Sequence, residues 1–237
     1  MTTAALIAVG GAANAADIYA PGSTKDVPVA PPLWTGLYFG VHVGGASADT
    51  DNHDRNDYLL NGAGWDWNNN TSGVLAGGQL GYNYQFGAFV IGAETDFGGV
   101  GLSNSWHHAS PDLSVTTNDG AFYADITGRL GYALGLSLFY VKGGWAFLDS
   151  NATFNSIGGT PVTSQGISGW TIGGGIEYAF APNWSVKAEY LYFDFSRNTI
   201  DWVAPNGIGY GFDRDITVNS FKVGVNYRVG SLYTPLK

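Results

Sequence analysis

Cysteine is absent from the 237-residue chain, and methionine occurs once. Without thiols there is no disulfide framework and no thiolate metal site. An oxidising compartment stays open, because a fold closed by other means needs no staples. Charge is sparse, with Asp, Glu, Lys and Arg at 12% and a net charge of −9. No basic stripe is present, which argues against a nucleic-acid partner. Beyond the N-terminal stretch, no segment resembles the ~20 apolar residues of a membrane-spanning helix. Glycine and aromatics are abundant instead: 36 Gly, 13 Phe, 14 Tyr and 8 Trp. That mixture favours many strands with close backbone approaches. All-β barrels of this length are often one domain.

The chain begins MTTAALIAVGGAANAADIYAP, with a short apolar run over residues 4–13. Ala13-Asn14-Ala15 is the small-x-small pattern of a signal-peptidase site. The run is too short to cross a bilayer as a helix, and no Lys or Arg precedes it. Residues 1–15 are expected to be an export signal, read from a start codon downstream of the true one. The competing reading is a short apolar helix of a cytosolic protein. Residues 16–33 carry Pro21, Pro28, Pro31 and Pro32 and read as an extended periplasmic tether.

From Trp34 onward the chain alternates with a period of two. The first segment, 34–48, sets Leu37, Phe39, Val41 and Val43 against Tyr38 and His42. The second, 73–86, sets Leu80, Tyr82, Tyr84 and Phe86 against Gln79 and Asn83. The third, 88–101, sets Phe89, Ile91 and Phe97 against Glu94 and Asp96. The fourth, 121–134, sets Phe122, Ile126, Leu130 and Tyr132 against Asp125, Thr127 and Arg129. The fifth, 136–148, sets Phe139, Val141 and Trp145 against Tyr140 and Lys142. The sixth, 168–180, sets Trp170, Ile172, Ile176 and Tyr178 against Thr171 and Glu177. The seventh, 184–195, sets Trp184, Val186, Ala188, Tyr190 and Tyr192 against Ser185, Lys187 and Glu189. The eighth, 217–229, sets Phe221, Val223, Val225 and Tyr227 against Ser220, Lys222, Asn226 and Arg228. These segments predict eight strands.

Long and short connections take turns. Residues 49–72, 104–120, 149–167 and 196–216 are long; Gly87, Gly135 and residues 181–183 are short. A soluble meander has no reason to alternate in this way. An eight-stranded antiparallel up-and-down transmembrane β-barrel does, with short periplasmic turns and long extracellular loops. The barrel is expected over residues 34–229, with 230–237 as a C-terminal extension.

Charge sorts accordingly. The apolar faces carry no charge at mid-strand, where a cation facing lipid costs about 2–4 kcal/mol. The opposite faces carry Glu94, Asp96, Asp125, Glu177 and Glu189 together with Arg129, Lys142, Lys187, Lys222 and Arg228. An eight-stranded barrel is filled by side chains, so these ten charges are expected to be paired or hydrogen-bonded in its interior. Inward glycines such as Gly40, Gly81 and Gly175 leave room for long neighbours. Trp34, Tyr84, Phe86, Tyr132, Phe180 and Trp184 fall near the short-turn ends and are expected to form a periplasmic aromatic girdle. Trp106, Tyr192 and Trp202 fall toward the opposite rim. The excess acids, among them Asp49, Asp51, Asp54, Asp57 and Asp66, fall in the long connections and read as solvated.

Three stretches carry a family resemblance: WTGLYFGVHVGG at 34–45, APNWSVKAEYLYFDF at 181–195 and SFKVGVNYRV at 220–229. The chain resembles the small Omp25/Omp31-like, porin-family barrels of the alphaproteobacterial outer membrane. The resemblance implies a Gram-negative outer-membrane location among lipid and lipopolysaccharide. It also implies a role in envelope integrity, surface exposure, and contacts with peptidoglycan or host surfaces. Some relatives are described as porins and some bind haem; no residue match carries either property to this chain. The last strand is similar to the signal read by the barrel-assembly machinery, here Lys222, Gly224, Tyr227 and Val229. Family members usually end there on an aromatic, whereas this chain has Val229 and continues GSLYTPLK.

No enzyme is expected. His42 is the single strand-interior His, with Ser47 or Ser185 as loose partners, and no nucleophile motif surrounds it. His107 and His108 are adjacent and point apart on a strand. Asp51, His53, Asp54 and Asp57 lack the central Gly and closing Glu of an EF-hand loop. No cofactor or metal is assigned. A soluble lipocalin-like barrel would need the faces inverted, with the apolar side chains inside.

Overall fold

The computed structural model describes residues 33–54, 66–107, 113–156, 162–164, 166–203 and 209–229. In chain order the strands are β1 (Gly36–Asp54), β2 (Asp66–Phe86), β3 (Phe89–Val100), β4 (Leu102–His107), β5 (Leu113–Leu134), β6 (Ser137–Ser156), β7 (Val162–Ser164), β8 (Ile167–Ala181), β9 (Trp184–Val203) and β10 (Gly209–Val229). No helix occurs among the described residues. β3 and β4 both pair with β5, one after the other along its length, and β7 and β8 do the same with β6. The ten segments therefore make eight walls. Every pairing is antiparallel, and β1 pairs with both β2 and β10, which closes the sheet into an up-and-down barrel.

The short turns follow from their residues. Gly87 and Gly135 open two-residue turns at φ +60° and +58°, the left-handed conformation that tight hairpins require. Pro182 and Asn183 make the third.

The long connections differ from expectation. Much of 49–72, 104–120, 149–167 and 196–216 is strand. β1 and β2 stay paired up to His53↔Asp66, and β5 and β6 up to Leu113↔Ser156. Strands of 19–22 residues are about twice the ~9–11 needed to cross a bilayer. Asn, Thr, Ser and Asp fill these arms. Backbone pairing needs no apolar face, so the ladder continues after the apolar band ends.

Both faces alternate as the sequence predicts. On β1, Leu37, Phe39, Val41 and Val43 are exposed, and Tyr38 and His42 are buried. The exposed band then gives way to Gly45, Asp49 and Asp51. The same holds around the ring: Ile126, Leu130, Val141, Trp145, Ile172 and Phe221 face outward, and the charged partners on each strand face inward.

Candidate functional site

Antiparallel register stacks the inward side chains in layers, and the layers differ in chemistry. At the short-turn end, Trp34 is fully buried among Val90, Leu138, Tyr140 and Ala179. Its backbone N–H donates to Gln85 Oε1 at 2.9 Å. The Arg228 guanidinium lies 4.7 Å from the Trp34 ring centroid and donates to the Leu33 carbonyl. This corrects one expectation: Trp34 closes the bore from inside and is no part of an outward girdle. Trp34 shares the parity of Tyr38 and His42, the inward side of the β1 alternation, so the period of two itself turns it inward. The other proposed girdle residues, Tyr84, Phe86, Tyr132, Phe180 and Trp184, are exposed on the outer face. Phe89 stacks on Phe86 at 5.9 Å and meets Tyr132 edge to face at 5.5 Å.

The middle layers hold the charges. Glu94 is a hub. Its Oε1 lies 2.6 Å from Lys142 Nζ and 3.1 Å from Lys187 Nζ, and its Oε2 accepts from Tyr38 at 2.7 Å with Arg129 at 3.8 Å. Asp96 faces Lys142 at 2.5 Å and Lys222 at 3.3 Å. Glu189 faces Lys142 and Lys222, each at 3.2 Å, and accepts from Tyr140 at 2.8 Å. Glu177 binds Arg129 at 2.5 Å and accepts from Ser185 and Asn226. The Arg129 guanidinium lies over the Tyr140 ring, 3.6 Å from its centroid. A Cβ on Gly81 would collide with the Tyr38 hydroxyl, so glycine there lets the tyrosine reach Glu94.

Eight of the ten inward charges are thus in ion pairs. Two are not; pairing or hydrogen bonding is expected of each, and of these two Asp125 has neither. Arg228 is held by a carbonyl and a ring. Asp125 is buried, and neither carboxylate oxygen has a hydrogen-bond partner. Equal numbers of each sign do not ensure pairing, because Arg228 and Asp125 occupy opposite ends of the stack. Asp125→Leu is therefore expected to leave stability unchanged or raise it by ~1 kcal/mol, since it removes desolvation without orphaning a cation. Urea unfolding in lipid vesicles measures this.

Among the described residues, Glu94, Asp96 and Glu189 form the one acidic trio close enough to share a metal ion. Lys142, Lys187 and Lys222 already fill that position. His42 meets neither Ser47 nor Ser185. Its Nδ1 lies 2.5 Å from Gln79 Oε1 and 3.6 Å from Asp96, and its Nε2 meets the Tyr123 hydroxyl. With Nδ1–H donating to Gln79, Nε2 accepts from Tyr123. Asp51 and His53 share an exposed face of β1, while Asp57 and His108 lie outside the described residues, as do residues 1–32 and 230–237. Lys222 and Gly224 of the proposed assembly signal face inward on β10, and Tyr227 and Val229 face outward.

Above the charges lies a layer that the period of two does not announce. Ala46, Leu75, Val100, Leu102, Leu148, Leu191, Phe193, Phe195 and Val218 are buried inside the long-connection half of the barrel. Phe193 and Phe195 stack at 6.0 Å. Both sides of the alternation are apolar here, as Val74 beside Leu75 and Tyr192 beside Phe193 show. That doubling is the sequence signal for an apolar interior.

The geometry agrees with three comparisons. The pattern of the "Outer membrane protein beta-barrel domain" matches residues 2–228. The "31 kDa outer-membrane immunogenic protein" of Brucella melitensis is 31% identical over 233 residues, 91% of this chain and 93% of that protein. The "22 kDa outer membrane protein" of Rhizobium leguminosarum is 28% identical over 208 residues, 86% and 82% of the two chains. The fold is shared with the outer membrane protein OprG of Pseudomonas aeruginosa, at a TM-score of 0.53 and 13% identity, over 81% of this chain and 95% of that one. An outward apolar band, a closed eight-walled sheet and relatives named for the outer membrane together place the chain in the Gram-negative outer membrane: it belongs to the outer membrane protein beta-barrel family.

Proposed function

We propose that the protein is a closed structural barrel that supports envelope integrity and holds polar arms at the cell surface for contacts with other molecules. The observation that carries this reading is the filled bore: Glu94, Asp96, Lys142, Lys187 and Glu189 have fully buried side chains that meet across the barrel. General porins need about sixteen strands to enclose a water channel. The Brucella relative is named as immunogenic, which fits arms exposed at a cell surface. Peptidoglycan or host-surface contacts and insertion by the barrel-assembly machinery through the β10 signal belong to the same reading.

Planar-bilayer recordings test it. The folded monomer is expected to give no large, stable conductance steps. Such steps would refute the closed barrel and favour a small-solute porin.

A further inference from the structure

Outside the bore, the lipid-facing wall is not uniform. Register aligns Val90, Gly131, Tyr140 and Gly175 in one row across β3, β5, β6 and β8. The row has inward parity, so on the outer face it is a furrow floored by backbone. Phe89, Tyr132 and Phe139 wall it toward the short turns, and Leu130 and Val141 wall the other side. All five are exposed. The furrow holds about 580 Å³, within the ~300–1,000 Å³ usual for ligand sites. Its floor amides and carbonyls pair within the sheet, and of the five wall side chains only Tyr132 carries a polar atom. Beyond Leu130 and Val141 the next outward row is Ala93, Gly128 and Gly143, a depression in the wall. A Cβ at Gly128 would meet nothing nearer than the Gly143 carbonyl oxygen at 3.9 Å. Gly174, paired with Val141, leaves the wall open between furrow and depression. Trp145, 63% exposed and paired with Ile126, closes the far end. From Phe139 to Trp145 this slot follows six residues of β6, about 20 Å of strand. At the usual barrel tilt that is about 15 Å of depth, one leaflet of a ~30 Å hydrocarbon core.

We infer that this slot is a binding site for one acyl chain of a periplasmic-leaflet phospholipid, with the ester end at Tyr132 and the chain running up to Trp145. The slot begins beside the Gly87 and Gly135 turns, at the periplasmic rim, which selects the inner leaflet over lipid A. Its chemistry changes along its length in the order a phospholipid does. The Tyr132 hydroxyl stands at headgroup level with the aromatic girdle, followed by rings, then by aliphatic side chains and bare glycine backbone. Within a bilayer no hydrophobic gain favours one apolar contact over another, so selectivity rests on van der Waals fit. A chain lying in the slot touches floor and both walls at once, whereas a chain on a smooth wall touches one side. A second copy of the barrel fits worse, because its convex wall cannot enter a furrow between projecting rings.

The test uses the full-length protein, folded in detergent, titrated with palmitoyl-oleoyl-phosphatidylethanolamine and read by native mass spectrometry. One saturable lipid per barrel is expected. Gly128→Leu fills the depression from the lipid side and is expected to weaken binding about tenfold or more, equivalent to ~1.4 kcal/mol. Val141→Trp blocks the furrow itself and is expected to do the same, which keeps the test decisive if the leucine variant does not fold. Val223→Leu, on the outward face of β10, is expected to leave binding unchanged. Stepwise uptake with no saturable first lipid, or equal affinity in wild type and both slot variants, overturns the slot. Preferential retention of lipid A overturns the periplasmic leaflet. A lipid-free dimer that either slot variant breaks overturns lipid as the occupant. None of these outcomes bears on the conductance expected of the barrel.

Discussion

Glu94→Leu is expected to lose about 3–5 kcal/mol of stability in lipid vesicles, the usual cost of removing one partner from a buried ionic cluster. Glu94 sits at the crossing of four groups: Lys142, Lys187, Arg129 and the Tyr38 hydroxyl. Deleting it leaves these donors in a closed bore. Asp96 and Glu189 retain some attraction for the lysines, but Lys187 Nζ and the Tyr38 hydroxyl lose the acceptor they donate to. Glu94→Gln is expected to fall between the two, because its amide oxygen still accepts one hydrogen bond. Salt distinguishes a buried cluster from a surface one. At about 1 M ionic strength exposed pairs are screened within ~3 Å, whereas the loss on Glu94→Leu is expected to persist. Urea unfolding at low and high salt measures both. A loss under ~1 kcal/mol that vanishes in salt would mean that water enters the bore, and the proposed closed barrel would fall with it.

Much of this arrangement is legible in the sequence, for a definite reason. Where one face of a strand meets lipid and the other a charged interior, a period of two carries the whole assignment. Lys187 and Glu189 against Val186 and Tyr190 orient β9 without any structure. The reading weakens where that contrast disappears. Leu75, Phe193 and Phe195 lie inward while Val74 and Tyr192 lie outward, and alternation between two apolar faces says nothing about direction. Trp34 looks like a girdle residue by its place near the short turns, yet it has the inward parity of Tyr38 and His42 and turns into the bore. Asp125 counts as one of five acids on the inward faces. Its lack of a partner depends on which layer each cation occupies, a property of stagger between strands that no single strand records. The arms of β1, β2, β5 and β6 were hidden for the opposite reason. Polar residues there resemble loop, although backbone pairing needs no apolar face to continue.

Substituting the outward face should produce a gradient with depth. Val41→Arg is expected to cost about 2–4 kcal/mol in vesicles, and Leu37→Arg about 0–1 kcal/mol. Val41 is the outward residue midway along the apolar part of β1, 68% exposed and flanked on the same face by Phe39 and Val43. Its backbone pairs with Gly78 and Val225, so no neighbour on β2 shields it. Leu37 lies near the start of the strand, opposite Val229, where an arginine side chain reaches the headgroups by extending past the rim. In the protein alone Val41 is the more exposed of the two, at 68% against 45%, so local packing predicts a cost at Val41 no greater than at Leu37. A hydrocarbon slab does not, because the cost of a guanidinium depends on its distance from water. Unfolding free energies for the two variants in the same vesicles therefore separate a lipid-facing wall from a wet one. Equal and small losses would mean that the aromatic, aliphatic face of β1 meets water, as in a soluble barrel. A steep difference is the response of a strand whose charges were placed inward because lipid excludes them from the other side.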